Sequence, residues 1–377
     1  MRLEEAGFMA TPDLAHVPVL REAELSDTYY VAADEIGPGT TFLTSGTSTG
    51  DRKRVCWPPD DHDRYLAHRG DLFRVFLADA CKTACADLGT GHAAASALEI
   101  FAKLGLRGTE IDLTWPLERH IETLRATRPD LVYTMPMILE RIVAAGGPGY
   151  VPRRVVVVGD LAPVEWRAAI SRRIGMDPAH MLDVFGSIEV GAIAYSEPSI
   201  DGYLLHDHIV PELIHNNLDD RDDRDNREGW PETGLLALTS LERDGFPAVR
   251  YVSGDVVSGL RRHRIGQRDA WGYERHLGRE GEERKHGEML SIHSIATAVV
   301  EFAAGAAWDV RREGLEVVVE LEAAAWSGDA AHAIRGRIRD ANPDVDQMIR
   351  NGLIGDIGVV PRSFVEIATK RGASRRT

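Results

Sequence analysis

The chain has 377 residues, 44% hydrophobic and 27% charged, with 59 acidic against 44 basic side chains and a formal net charge of -15. That length accommodates one large domain and a smaller one, and the composition is that of an ordinary globular protein. The acidic balance argues against nucleic acid as a partner, because no basic face remains to neutralise its phosphates; a local basic loop can still hold a nucleotide.

The first residues, MRLEEAGFMATPDL, lack the basic segment and apolar core of a secretory leader. No apolar run reaches membrane-spanning length, so no membrane association is expected. Cys56, Cys81 and Cys85 are an odd set in a large chain. They argue against a disulfide framework and fit a reducing cytoplasm. The four-residue spacing of Cys81 and Cys85 predicts one helical face, and without a second ligand pair nearby they read as packing residues and not as a zinc site.

In chain order, residues 10–40 read as an irregular lead-in with three prolines and at most one short helix. Thr41-Phe42-Leu43 reads as a strand. Trp57-Pro58-Pro59 prevents an immediate helix, since proline disfavours α geometry at the residue before it. Asp60 and Asp61 are then expected to cap a helix with a stripe of Leu66, Leu72, Phe73, Phe76 and Leu77. Ala93–Leu104 reads as helix, Leu117–Thr127 as helix, Asp130–Thr134 as strand, and Pro136–Ala145 as a helix with proline in its first turn. Arg154–Val158 is a continuous valine run, as in a strand covered on both faces. Pro163–Ile174 follows as helix and Met181–Phe185 as strand. This alternation predicts an α/β layer with a largely parallel sheet.

Beyond residue 200 the texture turns to strands: His208–Ile214, Leu235–Leu241, Ala248–Leu260 and Trp271–Leu277. The acidic run Asp219–Glu228 between them reads as a solvated loop. A boundary falls near Gly278–Glu283. Helix (Ser294–Phe302), strand (Leu315–Leu321), helix (Ala330–Ala341) and a last strand (Ile357–Val360) then make a small α+β unit. The expected division is 1–277 and 278–377. No repeat or low-complexity tract is present. His206 and His208 share a strand face with Glu197 near in sequence, which reads either as ordinary histidines or as a zinc site.

The richest stretch is Thr41–Arg54, TFLTSGTSTGDRKR. Glycines admit a ligand close to the backbone, hydroxyls and main-chain N–H groups cradle phosphate oxygens, and the basic residues add charge. A solvated loop has the same composition. Gly50 is followed by Asp51, so the phosphate loop of NTPases does not match. Gly46-Thr47-Ser48-Thr49-Gly50 satisfies a nucleophile elbow, with Ser48 as the nucleophile of a serine hydrolase, but an elbow needs a helix directly afterwards and Asp51–Pro59 cannot supply one.

The same loop resembles the phosphate-binding loop of adenylate-forming enzymes, Ser-Gly-Thr-Thr-Gly-x-Pro-Lys. Further segments resemble that family in order. Pro129–Pro136 (PDLVYTMP) is similar to the strand and turn of the carboxylate pocket, and Val155–Leu161 (VVVVGDL) to the strand and turn beside adenine. Asp183–Gly191 (DVFGSIEVG) resembles Tyr-Gly-x-Thr-Glu. Tyr251–Asp255 (YVSGD) resembles the ribose motif, and Leu277-Gly278-Arg279 the hinge motif. Pro361-Arg362-Ser363 before Lys370 resembles the approach to the catalytic lysine. Ser240–Asp255 and Gly202–Leu213 are most similar to the phenylacetate–coenzyme A ligase branch.

The resemblance implies a large N-terminal domain with mixed or parallel sheets, helices and a β-rich part, and a small mobile α+β C-terminal domain. It implies an enzyme that activates a small carboxylic acid, aromatic or amino-substituted, as an acyl adenylate. The acyl group would pass to coenzyme A, to the phosphopantetheine of a carrier protein, or to an amine. ATP would be held by Thr44, Ser45, Gly46, Thr47, Ser48, Thr49, Gly50 and Lys53, by Gly159, Asp160 and Leu161, and by Asp183, Val184, Phe185, Gly186, Ser187, Asp255 and Arg279. Tyr133, Thr134, Met135, Pro136, Phe185 and Gly186 would contact the acid. Glu189 would bind Mg2+, and Lys370 would bridge the acid and the α-phosphate. Departures are an additional loop residue, Arg52 in place of the loop proline, and Ile188 where the family has Thr or Ser. Glu280-Gly281-Glu282-Glu283 also replaces the acidic pair after the hinge. They keep open a pseudoenzyme that binds nucleotide or acyl ligand without chemistry.

Overall fold

A computed structural model of the chain describes residues 14, 17–21, 39–43, 54–78, 80–88, 92–112, 115–159, 162–214, 232–279, 284–286, 288–290, 292–313, 316–350, 355–363 and 367. It opens with β1 (Leu20–Arg21), β2 (Thr40–Leu43), β3 (Arg54–Trp57), α1 (Pro59–Leu77), β4 (Thr83–Asp87), α2 (His92–Lys103) and β5 (Arg107–Glu110). There follow α3 (Leu117–Thr127), β6 (Leu131–Thr134), α4 (Pro136–Ala144), β7 (Arg154–Val158) and α5 (Val164–Ile174). Strands then dominate: β8 (Met181–Ser187), β9 (Gly191–Glu197), β10 (Gly202–Leu205), β11 (Ile209–Ile214), β12 (Thr233–Ser240), β13 (Tyr251–Ser258), β14 (Arg261–Ile265), β15 (Arg268–Tyr273) and β16 (Arg275–Arg279). The rest comprises β17 (Arg284–His286), β18 (Glu288–Leu290), α6 (Ile292–Phe302), β19 (Trp308–Glu313), β20 (Glu316–Glu322), α7 (Gly328–Ala341), α8 (Pro343–Arg350) and β21 (Gly358–Arg362).

A nine-stranded sheet in the order β14-β15-β10-β9-β8-β7-β6-β4-β5 organises the larger part. From β5 to β8 it is parallel, and from β8 to β14 antiparallel. The valines of β7 explain its central place: with both faces covered, a β-branched run packs without alternation. One face buries Leu66 and Phe73 of α1 and Ile100 and Phe101 of α2. The other buries Leu124 of α3, Ile142 of α4, and Trp166 and Ile170 of α5. A fully buried side chain such as Phe73 contributes about 1.5–3 kcal/mol.

A second sheet runs β1-β13-β12-β11, with β16 also on β13. The third, β19-β20-β21, packs α6 and α7 around Ile295, Val299, Val319, Ile334 and Ile338. Its α6 neighbours the larger part through Val300, which packs with the α3–α5 core. No helix among the described residues is long and apolar enough to cross a membrane.

Two expectations fail locally. Cys85 lies in β4 and Cys81 ahead of it, so they share no helical face; both are buried, free thiols. Small residues in TACAD carry little strand signal, and the sheet supplies the missing order by pairing β4 between β5 and β6. Asp60 and Asp61 do not cap α1 either. Pro58 occupies that position, and buried Asp61 turns towards a distant loop.

Candidate active site

The parallel strands deliver their carboxyl ends to one edge, where ligands of α/β sheets bind. Tyr133 and Thr134 end β6 and Gly159 follows β7. Asp183, Val184, Phe185, Gly186 and Ser187 form the end of β8. Registers pair Thr134 with Val157 and Val158 with Val184, so the segments are lateral neighbours. Met135 packs against both core clusters, and its Cε lies 3.8 Å from where a Gly159 Cβ would be. Pro136 starts α4 directly behind it.

Alternation divides these residues between faces. Tyr133 faces α1 and α2, edge-on to Phe73 with ring centroids 5.4 Å apart. Thr134, next along the strand, takes the opposite side. The structure therefore does not gather all the expected acid-binding side chains in one place. Gly186 returns to the α1 side: a Cβ there would meet the Gly191 carbonyl oxygen at 2.4 Å and Arg69 Nη2 at 2.8 Å. Only glycine fits. Asp183 is buried, accepts a hydrogen bond from the Tyr203 hydroxyl, and has Arg167 Nη1 at 3.5 Å. Burial pushes its carboxyl up to about 6, against the pull of Arg167 and Tyr203. Val184 is a core residue, so only its main chain is available to a ligand.

Glu189 sits in the turn between β8 and β9. Trp57 Nε1 donates to the Ile188 carbonyl at 2.9 Å, Arg243 Nε donates to the Glu189 carbonyl at 2.9 Å, and Val190 N–H donates to Ser187 Oγ at 3.0 Å. Arg243 lies 4.0 Å over the Trp57 ring and pairs with Asp61. Asp61 also accepts the N–H groups of Asp244 and Gly245, the latter at 2.8 Å. The turn is thus clipped to β3. The Ile188 side chain packs against the large core, which uses its apolar character instead of a hydroxyl donor. Its half-buried neighbour Glu189 offers the hard oxygen donor that magnesium prefers.

Asp255 on β13 is buried and pairs across the ladder with Arg279 of β16. His276 Nε2 lies 3.1 Å from Asp255 Oδ1, and its ring centroid is 5.1 Å from that of Phe185. This histidine, unremarked in the sequence, bridges the second sheet to the end of β8. The hairpin of β2 and β3 pairs Leu43 with Arg54, so the glycine- and hydroxyl-rich loop springs from its tip. Among the described residues, the strand β3 and not a helix follows that loop, so the helix that a nucleophile elbow at Ser48 requires is not found there. Thr44, Ser45, Gly46, Thr47, Ser48, Thr49, Gly50, Lys53, Asp160, Leu161 and Lys370 lie outside the described residues.

His206 and His208 do not join Glu197, whose Oε1 accepts the Ser199 N–H at 3.0 Å. His208 instead stacks on His68 of α1, with centroids 4.1 Å apart, and His68 Nε2 is 2.7 Å from Glu242 Oε2. These three side chains could hold a metal ion by proximity. Arg64 and Arg243 line the same small cavity together with Asp61 and Glu242, and both arginines pair with Asp61, so the arginines are balanced within the cluster. Arg69 is the larger omission of the sequence reading. It occupies the i+4 position between Tyr65 and Phe73 on the buried stripe, where a charge among apolar residues was the available signal.

Residues 285–365 match a family model described as the fumarate–diaminopropanoate ligase C-terminal domain. The fumarate–(S)-2,3-diaminopropanoate ligase of Enterobacter agglomerans is 36% identical over 347 residues, which span 92% of this chain and 87% of that protein. A solved 2-hydroxyisobutyryl-CoA ligase in its postadenylation state superposes with a TM-score of 0.71 at 16% identity, covering 96% of this chain and 80% of its own. An amide bond synthetase from Marinactinospora thermotolerans gives 0.55 at 14% identity, with 85% of this chain and 64% of that one covered.

Proposed function

This chain belongs to the fumarate–diaminopropanoate ligase family of adenylate-forming enzymes, and from that premise we propose that its acyl acceptor is an amine. It is an ATP-dependent ligase that activates a small carboxylic acid as an acyl adenylate and then transfers the acyl group. Fumarate and 2,3-diaminopropanoate, named for its relative, are the first substrates to test. Coenzyme A and a carrier-bound phosphopantetheine are the alternative acceptors.

The observation that carries the reading is the convergence of Tyr133, Gly159, Phe185, Gly186 and Ser187 at the carboxyl ends of three adjacent parallel strands. In the first step a carboxylate oxygen attacks the α-phosphorus and pyrophosphate leaves. In the second, the amine attacks the acyl carbon and AMP leaves. Charge develops on the phosphate oxygens, so donors fixed beforehand lower the barrier. In this reading Thr44–Gly50 and Lys53 hold the β- and γ-phosphates, and Asp255 and Arg279 hold the ribose. Gly159, Asp160, Leu161 and the Asp183–Ser187 segment contact the nucleotide, largely through main chain at Val184. Tyr133, Met135 and Gly186 border the acid, with Thr134 and Pro136 shaping the turn. Magnesium, held through Glu189, would supply charge neutralisation at the phosphates. Residues 278–377 form a mobile domain that brings Lys370 to the acid and α-phosphate.

Acid-dependent exchange of pyrophosphate into ATP tests adenylation. Lys370→Ala should lower the exchange rate at least about 100-fold while leaving ATP affinity nearly intact, because the lysine acts on developing charge. Normal exchange by that variant would remove the lysine from the mechanism. Product analysis with diaminopropanoate and with coenzyme A then decides the acceptor: an amide supports the amine, and a thioester overturns it.

A further inference from the structure

Arg69 is 1% exposed, at the centre of α1. Its Nη2 donates to the Phe185 carbonyl at 3.0 Å, but Nε and Nη1 have no hydrogen-bond partner among the described residues. Among the described residues no carboxylate lies within ion-pair distance of it. Buried guanidinium groups are ordinarily paired, because removing an unpaired charge from water costs several kcal/mol. The neighbours explain the location but not the charge. Tyr65 lies under the guanidinium, 5.5 Å from ring centroid to Cζ. Tyr133 and the buried His206 feel its field, and His206 Nε2 is itself without a hydrogen-bond partner among the described residues. Gly186, the glycine at the end of β8, would strike Arg69 Nη2 if it carried a side chain.

The orphaned donors thus sit beside Phe185 and beside Tyr133 and Gly186, two of the residues that border the acid in the reading above. We infer that Arg69 anchors a second carboxylate on the acid, so that the site selects a short dicarboxylic acid over a monocarboxylic one. The guanidinium fork suits two carboxylate oxygens, and an anion there would satisfy the two open N–H donors and neutralise a charge the protein leaves alone. A monocarboxylic acid would bury that charge against an apolar chain end. The inference rests on the adenylation reading and assigns its specificity.

The test is pyrophosphate exchange with fumarate and with crotonate, in which a methyl group replaces the second carboxylate. Wild type should favour fumarate about 100-fold in kcat/KM, the scale of one lost charge-assisted pair. Arg69→Met should lose most of that preference, the KM for fumarate rising far more than the KM for crotonate. Folding of the variant is checked by near-ultraviolet circular dichroism. If Arg69→Met does not fold, Arg69→Lys decides: its KM for fumarate should rise about tenfold as the fork is lost, and an unchanged KM overturns the inference. Undiminished preference in Arg69→Met also overturns it, as does a wild type that exchanges only with monocarboxylic acids, although that last result leaves the adenylation reading standing. Silence with every acid removes both.

Discussion

Two buried charges at the end of β8 are handled in opposite ways. Arg69 has no counter-ion among the described residues, whereas Asp183 has Tyr203 and Arg167 yet is still driven towards its neutral form by burial. An acid whose folded pKa is raised binds its proton more tightly in the folded state. Its contribution to stability is therefore full below the unfolded value of 3.8 and is lost as pH rises through about 6. Asp183→Asn removes that dependence. The unfolding free energy of the variant relative to wild type should rise by on the order of 3 kcal/mol between pH 4 and pH 7. Urea titrations at several pH values measure it, and parallel pH profiles would contradict the assignment. Asp183, Gly186 and Asp255 stand out in the sequence because they fall in segments that resemble family motifs, and the structure places Asp183 and Gly186 on β8 and Asp255 on β13. Arg69 and His276 do not, because their meaning comes from neighbours more than 50 residues away or in another sheet.

Helix α1 links the β2–β3 hairpin to the Glu189 turn through Asp61. One buried carboxylate there serves Arg243 and two main-chain N–H groups from the loop at 244–245. Removing it leaves a buried guanidinium and open donors, at a cost of about 3–5 kcal/mol. Asp61→Ala should lower the unfolding free energy by that amount in denaturant titrations and impair exchange, since Arg243 no longer holds the Glu189 carbonyl. A loss below about 1 kcal/mol would show that the clamp is dispensable. At this scale the sequence was read well where one pattern sufficed. The valines of β7 and the Pro136 start of α4 are local signals, and the structure repeats them. Strand β4 and the Asp61 contact depend on pairing partners distant in the chain, which no local window contains.

At the scale of the whole molecule, the C-terminal unit rests on α4. Gly305 N–H donates to Glu140 Oε1 at 2.8 Å, and Glu322 pairs with Arg141 and accepts the Ala307 N–H at 3.0 Å. Gly305 has φ +84 and approaches so closely that an added Cβ would be 2.1 Å from Ala144 Cβ. Gly305→Ala should weaken this seat by about 1–3 kcal/mol and raise the rate of proteolysis between residues 279 and 284 about tenfold. Equal digestion rates would show that the contact does not hold the unit. The sequence shows a change of texture near residue 278, but the surface on which the C-terminal sheet and its helices rest carries no sequence signal. The central claim is tested most directly by acid-dependent exchange of pyrophosphate into ATP by the wild-type protein. The account predicts saturable exchange with fumarate that is lost in Lys370→Ala; ATP binding without exchange across a panel of mono- and dicarboxylic acids would contradict it.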